Sequence, residues 1–187
     1  GSRMREVFHQ QIISAPQVLA DPWEVTYGPD NNLWLTESKG YRVYIVNPTT
    51  GVRDTILNIS QGATFLPAGD QTFNAQFNIN TNGAQGGLAG LAIHPEFITN
   101  PLKKFVYISY IYSYDSASVF NAQCKFFKNR LVRFTYNTGT NRLESPVSLC
   151  DTLPGGNDHN SQRMIIAPVG GTDYLFYASG DMGAGQL

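Results

Sequence analysis

The stretch from Val25 to Ile59, VTYGPDNNLWLTESKGYRVYIVNPTTGVRDTILNI, decides the fold. Val25-Thr26-Tyr27 runs into a Gly28-Pro29-Asp30-Asn31-Asn32 turn and then Leu33-Trp34-Leu35-Thr36. Arg42 to Val46 runs into an Asn47-Pro48-Thr49-Thr50-Gly51 turn and then Val52 to Ile59. β-Branched and aromatic runs bounded by Gly, Pro, Asn and Asp read as strands joined by turns. Helical spacing is nearly absent, so the stretch predicts four consecutive strands.

The same pattern returns downstream. Leu91-Ala92-Ile93 leads through His94-Pro95-Glu96-Phe97 to Phe105-Val106-Tyr107-Ile108-Ser109. Arg130 to Phe134 leads through Tyr136-Asn137-Thr138-Gly139-Thr140 to the strand Arg142 to Leu149. Met164-Ile165-Ile166 begins a third copy, with an Ala167-Pro168-Val169-Gly170-Gly171 turn and then Tyr174 to Ala178. A repeated four-strand unit is the mark of propeller blades. The expected fold is therefore an all-β propeller, with two full blades and the first half of a third. Propellers close with about four to eight blades, and an open arc exposes an apolar face and a strand edge. The sequence thus predicts a longer parent protein whose remaining blades are partners of these. Residues 1–18 read as a tag remnant and N-terminal segment, and 19–187 as part of one propeller domain. A β-sandwich also uses short strands, but it does not require the four-strand repeat. The long loops at 60–84 and 112–128 are of the kind that carries function.

Net charge is −1, pI is about 6.3 and charged residues make up 14%. That balance favours neither nucleic acid nor an anionic membrane surface as a partner. No apolar run approaches the roughly 20 residues of a membrane span. Cys124 and Cys150 flank a predicted hairpin and fit a disulfide or two free thiols equally. Asn58-Ile59-Ser60 fits a glycosylation acceptor, a tripeptide common by chance.

The chain has three histidines, His9, His94 and His159. Only His159 lies in a Gly/Asn-rich loop with carboxylates on elements expected to be neighbours, Asp158 before it and Asp181 after the next two strands. That is how a general base and its orienting acid are placed. Asp181 is the expected partner, because adjacent side chains on an extended loop point apart, which sends Asp158 elsewhere. Taken alone, the residues also fit a solvated loop histidine. Gln85, between glycines, and Gln186, after Gly183-Ala184-Gly185, can give and accept hydrogen bonds to a polar ring or sugar hydroxyl. Both also read as exposed loop residues. No glycine run has the order of a nucleotide fingerprint, and no Cys/His/Asp group has metal-ligand spacing. Asp70 and Asp115 are isolated. His94 is expected to serve a turn and His9 to be solvated. Trp23 and Trp34 are expected to pack within or between blades.

Six segments carry a resemblance: PWEVTYGPDNNLWLTE (22–37), VNPTTG (46–51), GAQGGLAGLAIHPEF (83–97), NRLVRFTYNTGTNRLESPV (129–147), LPGGNDHNSQRMIIAP (153–168) and YASGDMGAGQL (177–187). Together they resemble the soluble PQQ-dependent glucose and aldose sugar dehydrogenases, a glucose/sorbosone dehydrogenase-like family. The resemblance implies a six-bladed propeller with PQQ across its channel and a sugar substrate oxidised at the anomeric carbon to its lactone. It implies a periplasmic or secreted location and a separate electron acceptor. It matches His159 to the general base, Asp181 to its supporting carboxylate, Asp158 to a sugar contact, Gln85 to a residue beside quinone and sugar, and Gln186 to a pocket residue near the cofactor. The family's Ca²⁺ ligands and the cations that neutralise PQQ are expected in blades after Leu187. One departure stands out: the family has a glycine where this chain has Gln162, which is expected to crowd the loop. The same superfamily includes non-catalytic forms resembling the hedgehog-interacting protein. A binding module of that kind, or an extracellular carbohydrate-adhesion domain, is the alternative reading.

Overall fold

The computed structural model describes residues 7, 9–13, 19–76, 85–114, 127–156 and 158–183. The described residues form ten strands and two short 3₁₀ turns, Ala68–Phe73 and Pro101–Lys103. β1 (Pro22–Tyr27), β2 (Leu33–Glu37), β3 (Arg42–Val46) and β4 (Arg53–Asn58) make one antiparallel sheet in chain order. β5 (Leu88–Ile93), β6 (Phe105–Tyr114), β7 (Phe127–Asn137) and β8 (Arg142–Gly155) make a second. β9 (Ser161–Val169) and β10 (Thr172–Ser179) pair as a two-stranded ribbon. Every strand expected from the sequence is present. The two meanders and the ribbon form three sheets rather than the two facing layers of a sandwich.

The period-2 alternation of the strands sorts their side chains between two cores. On β6, Val106, Ile108 and Tyr110 join Trp34, Val43, Leu57, Phe97, Val132 and Phe134 between the first and second sheets. Tyr107 and Leu131 face the other way and meet Ala92, Met164, Ile166, Leu175 and Tyr177 between the second sheet and the ribbon. β1 packs on β5, and β5 packs on β9, so the first strands of the three units lie side by side. Trp34 is fully buried, edge-on to Phe97 and Tyr136 at 5.6 Å each. Trp23 departs from expectation: it is 41% exposed, because it lies within the irregular stretch between Pro22 and Val25 and off the packed face.

A second difference concerns the ribbon turn. Ala167, Pro168 and Val169 belong to β9 rather than to a turn, and only Gly170 and Gly171 connect the strands. Both glycines have positive φ, 58° and 82°, which is the geometry a two-residue hairpin demands. β9 is paired on one side only among the described residues, where proline is tolerated. Cys150 lies half-buried in β8 opposite Leu131. Cys124, Asp115 and Gln186 lie outside the described residues. No helix among the described residues is long and apolar enough to cross a membrane.

Candidate active site

Hairpin register builds the site. The tight Gly170-Gly171 turn pairs Val169 with Thr172 and fixes every later pair. At the far end Ser179 pairs with Ser161, so the residues just beyond the strands, Asn160 and Gly180, come together. Between Met164/Tyr177 and Ser161/Ser179 the register shifts by one extra residue on β9. The surplus is taken up by Ser161 and Gln162, both left-handed at φ 60° and 64°. Bulges of this kind re-aim side chains beside functional sites. The two chains approach so closely that a Cβ at Gly180 would lie 1.7 Å from the His159 carbonyl oxygen, which only glycine permits.

His159 therefore faces Asp181 across the end of the ribbon. Its Nδ1 lies 3.3 Å from Asp181 Oδ1, and that oxygen also accepts from the Gly183 N–H at 3.0 Å. The His159 carbonyl accepts from the Met182 N–H at 3.2 Å. Asp158 does not point away as the sequence suggested. Its Oδ1 accepts from the His159 N–H at 2.9 Å and its Oδ2 lies 3.7 Å from His159 Nε2. The left-handed backbone of His159, φ 48°, breaks the extended alternation that would have separated them. The imidazole thus has a carboxylate at each nitrogen.

Gln85 comes to the same place from another direction. Its carbonyl accepts from Asn160 Nδ2 at 3.3 Å, while its side chain is exposed. The segment after it is anchored three ways. The Ser38 hydroxyl donates to the Gly86 carbonyl, Ile111 N–H donates to Gly87 O at 3.0 Å, and Gln162 Nε2 donates to Gly87 O at 3.4 Å. Gln162 does not crowd the loop. Its side chain is fully buried and turned inward, where its Oε1 lies 3.1 Å from the Ser109 hydroxyl. Ser109 also meets Asn129 Oδ1 at 3.0 Å, and Asn129 Nδ2 donates to the Tyr177 hydroxyl.

The sequence reading missed Lys39, in the β2–β3 turn. It is half-buried near Asp21 and Asp158; burial lowers its ammonium pKa below the usual 10.5, and the two carboxylates oppose that shift. It also missed the grouping of His94, Glu96 and Asp173, whose candidate ligand atoms lie within 4.8 Å of one another at the opposite end of β9. That group is a poor metal site. His94 Nδ1 accepts from the Glu96 N–H at 3.0 Å, which puts the ring proton on Nε2 and leaves no lone pair for an ion. The Glu96 carboxylate is taken by Lys103 and Asn100. His94 has the turn role expected of it: its main chain closes the β5–β6 connection through Phe105 and Phe97.

Fold and site define an all-β protein of propeller type with an acid–imidazole–acid constellation at one end of its strands. Residues 19–187 match the family Glucose / Sorbosone dehydrogenase, and the chain belongs to that family. It is 32% identical over 184 residues to quinoprotein glucose dehydrogenase B of Acinetobacter calcoaceticus, an alignment that takes in 97% of this chain. The chain spans 32% of that relative's length. Among solved structures it resembles the PQQ-bound form of aldose sugar dehydrogenase from Streptomyces coelicolor, with TM-score 0.60 and 20% identity over 94% of this chain and 43% of that one. A putative oxidoreductase (glucose dehydrogenase) from Thermus thermophilus gives TM-score 0.59 and 20% identity over 91% of this chain and 40% of that one. At these identities the structures speak to the fold alone.

Proposed function

We propose that these residues are part of a six-bladed, PQQ-dependent aldose dehydrogenase that oxidises the anomeric carbon of a sugar to its lactone. The observation that carries the reading is the Nδ1 contact of His159 with Asp181, 22 residues away in the chain. A carboxylate at Nδ1 holds the ring proton there and makes Nε2 the accepting nitrogen. A hydroxyl that donates to Nε2 sits beside the Asp158 carboxylate, whose Oδ2 is 3.7 Å from that nitrogen. An anomeric hydroxyl supplies that donor, and Asp158 is then within reach of the same sugar. As the proton moves to Nε2, the imidazolium is stabilised by a carboxylate on each side.

PQQ, when bound, supplies the two-electron acceptor for the hydride leaving the anomeric carbon. The described residues fit its reacting end and not its three carboxylates. They offer an imidazole and the Gln85 amide, with Lys39 as the cation beside Asp158. The remaining cations, the Ca²⁺ ligands and Gln186 are assigned to parts of the protein outside the described residues. The reading carries with it a periplasmic or secreted location and a separate electron acceptor. A binding module resembling the hedgehog-interacting protein has no use for an imidazole set between two acids, so that alternative is not favoured.

The test is turnover of the full-length protein with PQQ, Ca²⁺, an artificial electron acceptor and a panel of sugars. His159→Ala is expected to lose turnover by about 10²–10⁴-fold, the worth of a positioned base, while keeping its fold. Unchanged turnover refutes the assigned base.

A further inference from the structure

We propose that Asn160 is the positioning residue of this site, fixing the distance between the Gln85 main chain and His159; the inference rests on the dehydrogenase reading above. Asn160 is 2% exposed in a loop whose neighbours, Asp158 and His159, are only partly buried. Its carboxamide makes three bonds. Oδ1 accepts from Gly156 N–H at 2.7 Å, and Nδ2 donates to Gly156 O at 2.8 Å and to Gln85 O at 3.3 Å. Its own carbonyl accepts from Gly180 N–H at 2.9 Å and from Gln162 N–H at 2.8 Å.

One residue therefore ties together four pieces of chain: the segment entering β5, the 156–160 loop, the bulged start of β9 and the end of β10. The first carries Gln85, the second carries Asp158 and His159, and the last leads into Asp181. No other side chain fits. A carboxamide offers donors and acceptors at one carbon, aspartate lacks the donors, and a longer or apolar side chain misses Gly156. Without it the buried Gly156 amide and carbonyl both lose their partner. Asn160 touches none of the reacting groups, so it acts through His159 and Gln85.

The discriminating variants are Asn160→Asp, which keeps the Gly156 N–H bond and loses both donors, and Asn160→Ala, which loses all three bonds. In the full-length protein with PQQ and Ca²⁺, kcat is expected to fall about 10–100-fold in both, since displacements near 1 Å carry costs of that order. The acid limb of the kcat/KM profile moves with it. In the metal-free and PQQ-free chain, the NMR resonances of the His159 ring shift while those of His9 do not. The charged groups around His159 are Asp158 and Asp181, with Lys39 near Asp158. A loss of melting temperature with unchanged kcat, unchanged acid limb and unchanged His159 ring resonances overturns the proposal. Should neither variant fold, the native protein decides: the Asn160 side-chain amide protons are expected to exchange much more slowly than those of exposed asparagines, and equal exchange overturns it. If His159→Ala is inactive while both Asn160 variants are fully active, only the role of Asn160 falls. If His159→Ala is fully active, the dehydrogenase reading falls with it.

Discussion

The two cores of this molecule are built from different chemistry. Between the first and second sheets lies a large aromatic and aliphatic cluster in which Trp34, Tyr41, Val43, Leu57, Leu88, Val106, Ile108 and Phe134 are fully buried. Between the second sheet and the ribbon the buried apolar residues among those described are Ala92, Leu131 and Met164, and Tyr107, Ile166, Leu175 and Tyr177 are half covered. The shortfall is made up by polar groups. Gln162, Ser109 and Asn129 are fully buried and joined to one another and to Tyr177. An apolar core tolerates substitution and repacking, whereas a buried hydrogen-bond network is satisfied in one arrangement only. The difference teaches that the ribbon is held in a defined register rather than held tightly. Register is what His159 and Asp181 need, because they come from its two open ends.

That contrast can be broken by truncation. Trp34→Ala is expected to cost about 3–5 kcal/mol, and Met164→Ala in the second core about 2 kcal/mol, because its neighbours are already part exposed. Urea midpoints of the two variants compare them directly, and equal losses would erase the distinction. Asn129→Ala takes the Asn129 donor from the Tyr177 hydroxyl and leaves the Ser109 hydroxyl with Gln162 Oε1 in place of two acceptors, and is expected to cost about 1–3 kcal/mol. Amide exchange should then speed in β9 and β10 before it does in β2 and β3. Arg163 provides a smaller test. Its Nη1 lies 3.0 Å from Glu24 Oε1, which bonds the first strand of the first sheet to the ribbon. Burial raises the Glu24 carboxyl above its usual 4.5, against the pull of Arg163 and Thr26. Arg163→Ala is expected to cost about 1–2 kcal/mol, less than a fully buried pair because the guanidinium is mostly exposed.

The smallest effect is a pH dependence in the ribbon core's far end. Burial, with Lys103 beside it, holds the His94 imidazole below its usual 6.5, although Glu96 and Asp173 pull the other way. The folded pKa lies below the unfolded one. The stabilisation is therefore complete above about pH 6.5 and is lost as the pH falls through the folded value. Urea midpoints measured at pH 7.5 and pH 5.5 should differ by more in the native chain than in His94→Gln.

The strands were legible in the sequence because β-branched and aromatic runs between turn formers leave few other options. The pairing of His159 with Asp181 was legible too, through the resemblance and the spacing of the last two strands. What was hidden depends on tertiary placement. Pro168 signals a turn by itself, and its place in β9 follows from a strand paired on one side. The direction of Asp158 turned on one left-handed residue, His159, at a position where sequence predicts nothing special. Asn160 and Lys39 carry no periodic signal, being polar residues in loops that are normally solvated. Gln162 looked like an obstruction because the bulge that turns it inward is visible only in the register.

The most direct measurement is the turnover of Asp181→Asn in the full-length protein. Asparagine keeps an oxygen facing the Gly183 N–H and Nδ1, but it removes the negative charge that stabilises the imidazolium formed as His159 takes the proton. The account predicts a fall in kcat of about 10²–10⁴-fold with KM little changed. A kcat equal to that of the native protein would contradict the assignment of Asp181 as the acid that orients His159.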